Sequence, residues 1–479
     1  WGCSFHNVLP KAGPAGLPDW TSLRDLFIAS LHSRSRAEID LWPSQIDAAA
    51  RAMAIDENLV VSLPTSAGKT RIAELCILAC LSAGKRVMFI TPLRALSAQT
   101  EVSLIRTFRP LGKTVSGLYG SIGVSGADAG LLMDRDIVVA TPEKLDFALR
   151  NDPALLDDVG LVVLDEGHTI GLGEREVRYE VQIQRLLRRA DADQRRIVCL
   201  SAVLPENDQL DDFVAWLSKD HADGLVFKDW RPTRLRFGEV AWSDNGGKLN
   251  ITLGEETPYI PKFLTPREPP QLGGRGQRRK LFPCDQRELV LATTWRLIED
   301  GQTVLIYCPQ RRSVEPFADT IVDLYKRQLL SALIEEDDPR LNKALAIGTE
   351  WLGADHPLLQ CLRLGVAVHH GALPTPYRRE VEALLRDGIL KVTVSSPTLA
   401  QGLNLSATTL VFQGLRGHSG IVEPHEFRNI VGRAGRAFID VQGLVLYPMF
   451  DKQFSRRRDW TELVNETAGR EMESGLLRL

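Results

Sequence analysis

Apolar residues in the first half of the chain fall in short, unbroken runs that longer amphipathic stretches separate. Five of these runs are rich in β-branched residues: NLVVSLP, RVMFIT, DIVVAT, GLVVLDE and RIVCLSA. A continuous apolar run is typical of a strand that is buried on both faces. In KTRIAELCILACLSAG, by contrast, Ile72, Leu75, Cys76 and Ala79 recur at helical spacing. Strands that alternate with helices predict an α/β fold with a parallel, doubly wound sheet.

The second half of the chain repeats this pattern. Its apolar runs are TVLIYC, GVAVHH, LKVTVSS, TTLVFQ and GLVLYP. Between the halves lie RPTRLRFGEVAWSDNGGKLN and the Pro/Gly/Arg-rich stretch TPREPPQLGGRGQRRK, which has the composition of an exposed linker or loop. The pattern therefore predicts two α/β domains with a boundary near residue 230.

Composition narrows the class of protein and of partner. The chain has 479 residues, 44% of them hydrophobic and 25% charged, and a net charge of −3, as in an ordinary globular protein. This charge excludes a generally basic protein that coats nucleic acid, so a nucleic-acid partner would need a localised groove. The sequence has neither an apolar run long enough for a membrane span nor a signal peptide, so we expect an intracellular protein with no membrane partner. Its first residue, Trp1, indicates a piece of a longer chain.

Cysteine and histidine do not predict a metal centre. Seven cysteines are scattered through the chain without a Cys-x-x-Cys pair: Cys3, Cys76, Cys80, Cys199, Cys284, Cys308 and Cys361. Their odd number and irregular spacing argue against a disulfide framework or a zinc ribbon and predict a reducing compartment. Cys76 and Cys80 have core spacing and do not supply the four thiolates of an iron–sulfur cluster. His369 and His370 lack the spacing of a zinc site, and we expect a structural role for them.

The stretch LPTSAGKT, from Leu63 to Thr70, has the form of a phosphate-binding loop. It follows a predicted strand and opens a predicted helix, which is the context such a loop requires. Lys69 would supply a positive charge to the β- and γ-phosphate oxygens, and the hydroxyl of Thr70 would be a ligand of Mg²⁺. The residues expected around the nucleotide are Pro64, Thr65, Ser66, Ala67, Gly68, Lys69 and Thr70. The alternative is a Gly/Ser-rich turn that contains Lys-Thr by chance.

Two consecutive carboxylates end the apolar strand in LVVLDEGHTI. Asp165 can hold Mg²⁺ through its water shell, and Glu166 can polarise a water molecule for attack on the γ-phosphate. Two solvated acids after a strand are the alternative. Alongside the loop, the pair predicts the second half of one site for ATP and Mg²⁺.

Together with five further motifs, these stretches resemble the superfamily 2 helicases. The five, in chain order, are TPLRALSAQ, ATPEKLD, LSAVLP, SSPTLAQGLNLSA and NIVGRAGRAF. Three more, GEREVRYE, DWRPTRL and the segment from GVAVHHGALP to KVTVSS, are similar to the superkiller-like branch, which includes polymerase-theta-type and archaeal DNA helicases and exosome-associated RNA helicases. The resemblance extends over residues 38 to 479. It implies two tandem RecA-like domains with parallel sheets and with ATP in the cleft between them.

The resemblance also implies domain limits. Residues 1–37 would be an N-terminal extension, 38–230 the first RecA-like domain and 231–455 the second. Residues 456–479 would be a linker toward a winged-helix domain that the sequence lacks.

Arg433 and Arg436 in NIVGRAGRAF lie three residues apart, so one turn of helix would place them on one face. The resemblance implies that they are arginine fingers that reach the γ-phosphate when the cleft closes. The forked guanidinium suits phosphate oxygens better than the ammonium of lysine does. Pairing with surface carboxylates is the alternative.

The same match implies further contacts with the nucleotide and with nucleic acid. Gln45 in WPSQIDA resembles the glutamine that reads adenine, and Gly402 and Asn404 would lie near the ribose and the γ-phosphate. The residues that resemble nucleic-acid contacts are Thr91, Pro92, Arg94, Thr141, Pro142 and Thr398. Contacts to phosphate and sugar carry no sequence information, which suits an enzyme that moves along any strand. For each threonine, helix capping is the alternative.

The expected function is that of an ATP- and Mg²⁺-dependent helicase or translocase that moves 3′ to 5′ on single-stranded nucleic acid, with DNA slightly favoured. Val203 stands where the family usually has Thr in a motif that links hydrolysis to strand separation, and Asn429 stands where many relatives have Gln. FQGLRGHSGIVEPHEF would allow the strand-separating hairpin of polymerase-theta-type members. The alternative is an ATP-gated regulatory or scaffolding switch within a larger defence or repair complex, without strand separation.

Overall fold

A computed structural model describes most of the chain, in two units. The described residues are 3–13, 16–35, 37–64, 67–92, 94–119, 134–167, 174–201, 208–219, 224–228, 234–243, 245–252, 257–268, 281–397, 407–417, 420–435 and 442–466. The first unit comprises the described residues up to 228, and the second comprises those from 234 onward.

The first unit contains a seven-stranded sheet. Its strands are β1 (Leu59–Ser62), β2 (Arg86–Ile90), β3 (Val115–Leu118), β4 (Ile137–Ala140), β5 (Val159–Leu164), β6 (Arg196–Ser201) and β7 (Leu225–Phe227). They lie in the order β3-β4-β2-β5-β6-β1-β7, and every neighbouring pair is parallel. All five strands predicted for this half are present, and the parallel α/β fold is confirmed.

Helices connect these strands and cover the sheet. They are α1 (Phe5–Val8), α2 (Trp20–His32), α3 (Pro43–Ala52), α4 (Lys69–Ser82), α5 (Arg94–Phe108), α6 (Pro142–Asn151), α7 (Glu174–Leu187) and α8 (Asp208–Ser218). Every residue of α4 from Ile72 to Ser82 is buried, because α4 shares one hydrophobic cluster with α2, α3 and the sheet. A helix enclosed on all sides is mostly apolar, as α4 is from Leu75 to Leu81, and its one buried charge, Glu74, is paired with Arg71.

The second unit contains an eight-stranded sheet. Its strands are β8 (Arg234–Ser243), β9 (Gly246–Thr252), β10 (Tyr259–Leu264), β11 (Val304–Tyr307), β12 (Val366–His369), β13 (Val392–Ser395), β14 (Thr409–Phe412) and β15 (Gln442–Met449). The order is β10-β9-β8-β15-β14-β11-β13-β12. The pairs from β8 to β12 are parallel, and β8, β9 and β10 form an antiparallel extension. The five strands predicted for this half are confirmed, but the antiparallel extension was not predicted.

The apolar residues of β8 change faces in the middle of the strand. Leu235 and Phe237 pack on the cluster beneath the C-terminal helices, whereas Val240 and Trp242 belong to the larger core on the other side of the sheet. Gly238, between these pairs, would bring a Cβ within 2.7 Å of the carbonyl oxygen of Asn250. Because the alternation breaks at this point, the segment shows neither the continuous apolar run of a strand buried on both faces nor the regular alternation of a strand with one buried face.

The helices of the second unit are α9 (Gln286–Glu299), α10 (Glu315–Lys326), α11 (Asn342–Leu352), α12 (Pro357–Arg363), α13 (Thr375–Arg386), α14 (Pro424–Val431) and α15 (Gln453–Glu466). The ring of Phe427 on α14 lies 5.1 Å from that of Phe412 and 5.6 Å from that of Trp460 on α15. This cluster anchors α14 to β14. Among the described helices of both units, each is too short or too polar to cross a membrane.

Burial of the cysteines leads to a labelling prediction. All seven are free thiols, and Cys3 and Cys284 are half-buried while the other five are buried. Burial raises the pKa of Cys80 and of Cys361 to about 12 and also raises the pKa of Cys199. Because the thiolate is the reactive form, we expect a maleimide at neutral pH to modify Cys3 and Cys284 in the native protein and the other five only after denaturation. Mass spectrometry of the labelled protein would test this, and rapid native labelling of Cys199 would contradict it.

Candidate functional site

The carboxyl ends of the parallel strands in the first unit carry a row of predicted site residues. Thr141 follows β4, Thr91 follows β2, Asp165 follows β5, and the loop that starts at Leu63 follows β1. Neighbouring parallel strands end at the same edge of a sheet, where α/β folds bind their ligands. Thr141 and Thr91 follow adjacent strands, and one strand separates Asp165 from the loop, a spacing of about 10 Å. The expected nucleic-acid contacts therefore lie at one end of the row and the nucleotide groups at the other.

The phosphate-binding loop turns into α4 at Gly68. This glycine is the N-cap of α4 and has φ +87°, in the left-handed region that favours glycine. The helix begins at Lys69, whose Nζ donates to the carbonyl oxygen of Leu63 at 3.2 Å. Thr70 is exposed, and its hydroxyl is accessible to a ligand. Thr65 and Ser66 lie outside the described residues.

Gln45 and Ser44 hold the loop from the N-terminus of α3. The side-chain Nε2 of Gln45 donates to the carbonyl oxygen of Gly68 at 3.1 Å, and its Oε1 accepts from the backbone N–H of Trp42 at 2.9 Å. The hydroxyl of Ser44, which is fully buried, donates to the carbonyl oxygen of Ala67 at 3.0 Å. A Cβ on Gly68 would lie 2.0 Å from Nε2 of Gln45. The role of Ser44 was not predicted, although it precedes Gln45 in the motif.

Substitution of Gln45 tests its predicted role. Gln45→Glu keeps the size of the side chain but replaces an N–H donor with a carboxylate facing the carbonyl oxygen of Gly68. Loss of a buried donor costs about 1–3 kcal/mol, so we expect ATP affinity to fall about tenfold or more, with loss of the preference for ATP over GTP. Competition binding of the two nucleotides would measure both effects. Gln194→Glu, at an exposed glutamine of the same unit, is the control, and equal affinities for the two variants would contradict the assignment.

The acidic pair lies on a strained turn at the end of β5. The backbone N–H of Asp165 donates to the carbonyl oxygen of Ile90 at 2.9 Å, and its Oδ1 accepts from the backbone N–H of Glu166 at 3.0 Å. Glu166 has φ +53°, which costs a residue other than glycine about 1 kcal/mol or more. The adjacent Gly167 cannot take a side chain, since a Cβ there would lie 2.1 Å from Sγ of Cys199. The turn is therefore held against the neighbouring strand β6.

The electrostatics of this turn fit a cation. Loss of solvent and the charge of Glu166 raise the pKa of Asp165 to about 7, and the nearby Lys69 opposes that rise. A carboxylate whose pKa is raised by burial and by a neighbouring carboxylate is one that a bound divalent cation would stabilise in its ionised form. Carboxylate and hydroxyl oxygens are also the ligands that Mg²⁺ prefers. Asp165 and the exposed Thr70 therefore fit the predicted Mg²⁺ site.

The two threonines at the other end of the row are both buried. Thr91 is fully buried, and its hydroxyl pairs with that of Ser97. Thr141 is 2% exposed and is the N-cap of α6, and Pro142 is the first residue of that helix. Thr141 makes no side-chain capping bond. Pro92 is half-buried, whereas the side chain of Arg94 and all of Thr398 lie outside the described part of the structure.

In the second unit, Arg433 lies two residues after the end of α14, in a tightly connected turn rather than on a helix. It is 8% exposed, and its carbonyl oxygen accepts from the backbone N–H of Ala407 at 3.1 Å. The backbone N–H of Gly435 donates to the carbonyl oxygen of Ala407 at 2.7 Å. These bonds attach the segment to the amino end of β14. Three other predicted positions of this unit lie outside the described residues: Arg436, Gly402 and Asn404. Val203 of the first unit also lies outside them.

A buried pair fixes α14 against the centre of the sheet. The hydroxyl of Tyr307, at the end of β11, donates to Oε1 of Glu426 on α14 at 3.0 Å. Burial raises the pKa of Glu426 above its usual value. The sequence reading missed this pair because the two residues are 119 positions apart. The half-buried carboxyl of Glu426, seven residues before Arg433, thus helps to fix α14.

Each residue of the histidine pair contacts a carboxylate. Nε2 of His369 lies 3.0 Å from Oε1 of Glu382 on α13, and Nε2 of His370 lies 3.1 Å from Oε1 of Glu315 on α10. Burial lowers the pKa of His370 despite the nearby Glu315. Within the described residues, no group of three His, Cys, Asp or Glu side chains is arranged to hold a metal ion.

The segment before α14 reverses direction in a short antiparallel turn. The backbone N–H of Val422 donates to the carbonyl oxygen of Leu415 at 2.8 Å, and that of Gly417 donates to the carbonyl oxygen of Gly420 at 2.7 Å. Residues 418 and 419 lie outside the described residues. The described part thus forms the base of a hairpin, and Arg416 fastens it to α15 through Asp459 at 3.0 Å.

Comparisons with known proteins agree with this arrangement. A family model described as DEAD/DEAH box helicase matches residues 42–211. The Hachiman protein HamB of Bacillus cereus is 33% identical over 87% of this chain and 37% of its own length. The ATP-dependent DNA helicase Hel308 is 28% identical in Methanocella arvoryzae and 29% in Pyrococcus abyssi, over 84% and 86% of this chain and 50% and 51% of their own lengths. The chain thus spans between about a third and a half of the length of these relatives.

Proposed function

Because this chain belongs to the superfamily 2 helicases, we propose that it is an ATP-driven motor that translocates along single-stranded nucleic acid and separates strands. The observation that carries this proposal is the row of residues at the carboxyl edge of the first sheet. A nucleotide site and contacts for a nucleic-acid backbone on one parallel sheet allow the state of one to affect the other. We propose residues 38–230 and 231–455 as the two RecA-like domains.

In the proposed reaction, the first unit binds the nucleotide and activates water. The N-terminal N–H groups of α4 and the ammonium of Lys69 would contact the phosphates. Asp165 and Thr70 would hold Mg²⁺, which neutralises charge on the phosphate oxygens. Glu166 would accept the proton of the attacking water. Lys69 already donates to the carbonyl oxygen of Leu63, so nucleotide would replace an existing contact.

The second unit would supply the groups that couple hydrolysis to movement. We assign Arg433 and Arg436 as arginine fingers that stabilise charge on the transferred phosphoryl group. Gly402, Asn404 and Thr398 would contact the ribose, the γ-phosphate and the nucleic-acid strand respectively. Support comes from the backbone around Arg433, which is bonded to Ala407 through the carbonyl oxygen of Arg433 and the N–H of Gly435. Release of phosphate would remove the ligand of the arginines and shift the grip on the strand by one step.

Two finer features remain part of the proposal. The similarity to the DNA helicase Hel308 favours DNA as the strand. Movement from 3′ to 5′ follows from resemblance to the same branch. The proposed motor would work inside the cell, with nucleic acid as one partner and other proteins as further partners.

The test is the steady-state ATPase rate of the protein alone and with single-stranded DNA, single-stranded RNA or duplex, with Glu166→Gln as a blank. We expect a large stimulation by a single strand, absent in the variant, and displacement of a strand from a duplex with a 3′ overhang but not from one with a 5′ overhang. A rate indifferent to every nucleic acid would overturn the motor and favour the ATP-gated switch. Stimulation without strand displacement would overturn the separating activity alone.

A further inference from the structure

The N-terminal segment, here the described residues before residue 42, where the match to the helicase family begins, helps to support the proposed nucleotide site. We infer that Glu38, Phe5 and Phe27 hold Arg71 and thereby position the first turn of α4, so that Arg71 is a positioning residue for ATP binding. This inference rests on the proposed function of that loop. The matched family begins at residue 42, whereas Phe5, Phe27 and Glu38 precede it.

Arg71 lies two residues after Lys69 and is enclosed by groups from two parts of the chain. One guanidinium nitrogen donates to Glu74 on the same helix, and another donates to Glu38 of the N-terminal segment. Its Cζ lies 5.8 Å from the ring centroid of Phe5 and 5.7 Å from that of Phe27. The side chain of Arg71 is only 11% exposed. A charge removed from water in this way is stable only in a specific, paired geometry.

The carboxylates that hold Arg71 are themselves held. Glu38 also accepts from Arg34 at 2.6 Å, and Glu74 accepts from the hydroxyl of Thr107 on α5 at 2.7 Å. Arg34 donates to the same hydroxyl at 3.0 Å. Burial by itself would raise the pKa of Glu38, but the guanidiniums of Arg71 and Arg34 outweigh it and hold the pKa below its usual value. The network thus joins the N-terminal segment, α4 and α5 through charged groups.

The same segment is also bonded to the residues that precede Gln45. The backbone N–H of Phe5 donates to the carbonyl oxygen of Ile39 at 3.1 Å, and that of Leu41 donates to the carbonyl oxygen of Cys3 at 2.8 Å. Leu41 directly precedes Trp42, whose N–H fixes the amide of Gln45 on Gly68. Gln45 therefore contacts Gly68 directly, and the Arg71 network holds the first turn of α4 that follows it. The first N–H groups of a helix have no partner within the helix, so an unheld first turn frays readily and would bind phosphate less well.

The experiment compares two carboxylates of the same unit. Glu38→Gln keeps the shape of the side chain but removes the charge that faces Arg71. Glu57→Gln is the matched control, because Glu57 is 42% exposed against 39% for Glu38 and also pairs with an arginine, Arg51, at 3.0 Å. The affinity for a fluorescent ATP analogue is measured on the full chain, together with KM and kcat for ATP and the melting temperature.

We expect Glu38→Gln to weaken nucleotide binding and raise KM about tenfold, as for the loss of a charge-assisted hydrogen bond, with kcat at saturating ATP within about twofold of the unsubstituted protein. Arg71→Lys, which keeps the charge but not the fork, should fall between the unsubstituted protein and Arg71→Leu. If Arg71→Leu does not fold, Glu38→Gln and Arg71→Lys still decide the matter.

An affinity of Glu38→Gln equal to that of Glu57→Gln would overturn the inference, as would a fall in kcat with unchanged affinity. If both variants have a lower melting temperature but the same affinity for the nucleotide, the network has only a structural role, and the inference is overturned as well. If the unsubstituted protein neither binds nor hydrolyses ATP, the proposed function fails first. If the unsubstituted protein binds and hydrolyses ATP, and Glu38→Gln has the same affinity and KM, the proposed function stands and only the positioning role is refuted.

Discussion

Glu166→Gln is expected to lower kcat for ATP hydrolysis by about 10²–10⁴-fold, the usual effect of removing a general base, while ATP still binds. The amide keeps the shape of the side chain but cannot accept the proton of the attacking water. It also removes the negative charge that contributes to the raised pKa of Asp165, so the proposed Mg²⁺ ligand should ionise more readily in the variant. Phosphate release and binding of a fluorescent ATP analogue would measure the two effects separately.

Asp157→Asn is the control for this experiment. Asp157 is an exposed carboxylate just before β5, at the amino end of the strand whose carboxyl end carries Glu166. Asp157→Asn removes the same charge at the opposite edge of the sheet, so we expect kcat for ATP hydrolysis to be unchanged. A fall in kcat of similar size in both variants, or a loss of ATP affinity in Glu166→Gln alone, would contradict the role of Glu166 as the base.

Arg433→Lys is expected to lower kcat by about 10³–10⁵-fold, with little change in ATP affinity. Lysine keeps the positive charge but presents a single point of contact where the guanidinium offers a planar fork of donors. The loss should therefore fall on the transition state, in which charge develops on the phosphoryl oxygens. Single-turnover hydrolysis with bound nucleotide would isolate this step from binding.

Arg416→Lys is the matched control in the second unit. Arg416 is 69% exposed and pairs with Asp459, so the same substitution there should leave kcat unchanged. Because Arg433 is 8% exposed, the melting temperature of Arg433→Lys must be recorded beside its kinetics. An unchanged kcat in a folded Arg433→Lys protein would show that Arg433 is not a finger and would leave that role to Arg436.

The strands at the centre of each sheet were predictable because their sequences are unambiguous. LVVS of β1 and IVVA of β4 are enclosed on both faces, and a strand of that kind needs an unbroken apolar run. Strand β8 was missed because its apolar residues change faces at Gly238, which destroys the regular alternation of a strand with one buried face. The β3 strand was also missed, and its burial is only partial until Leu118.

Part of the candidate site was predictable for a different reason. Lys69, Asp165 and Glu166 stand in local motifs, where the residue types and the strand before them indicate phosphate and metal chemistry without any knowledge of their neighbours. Ser44 and the pair of Tyr307 and Glu426 carry no such local signal. Their contacts join residues 23 and 119 positions apart, so only the folded chain could identify them.

The sequence by itself determined the α/β class and the repeated pattern of two parallel sheets, and it predicted the groups that would contact ATP, because apolar periodicity and phosphate-binding chemistry are local properties. Tertiary structure alone decided the order of the strands and hence the row of site residues at one edge of the first sheet. It also decided that Arg71 is enclosed by Glu38 and two phenylalanines from the N-terminal segment. The physical reason is that burial and electrostatic pairing depend on which distant parts of the chain exclude water from the same place, and no local pattern specifies that.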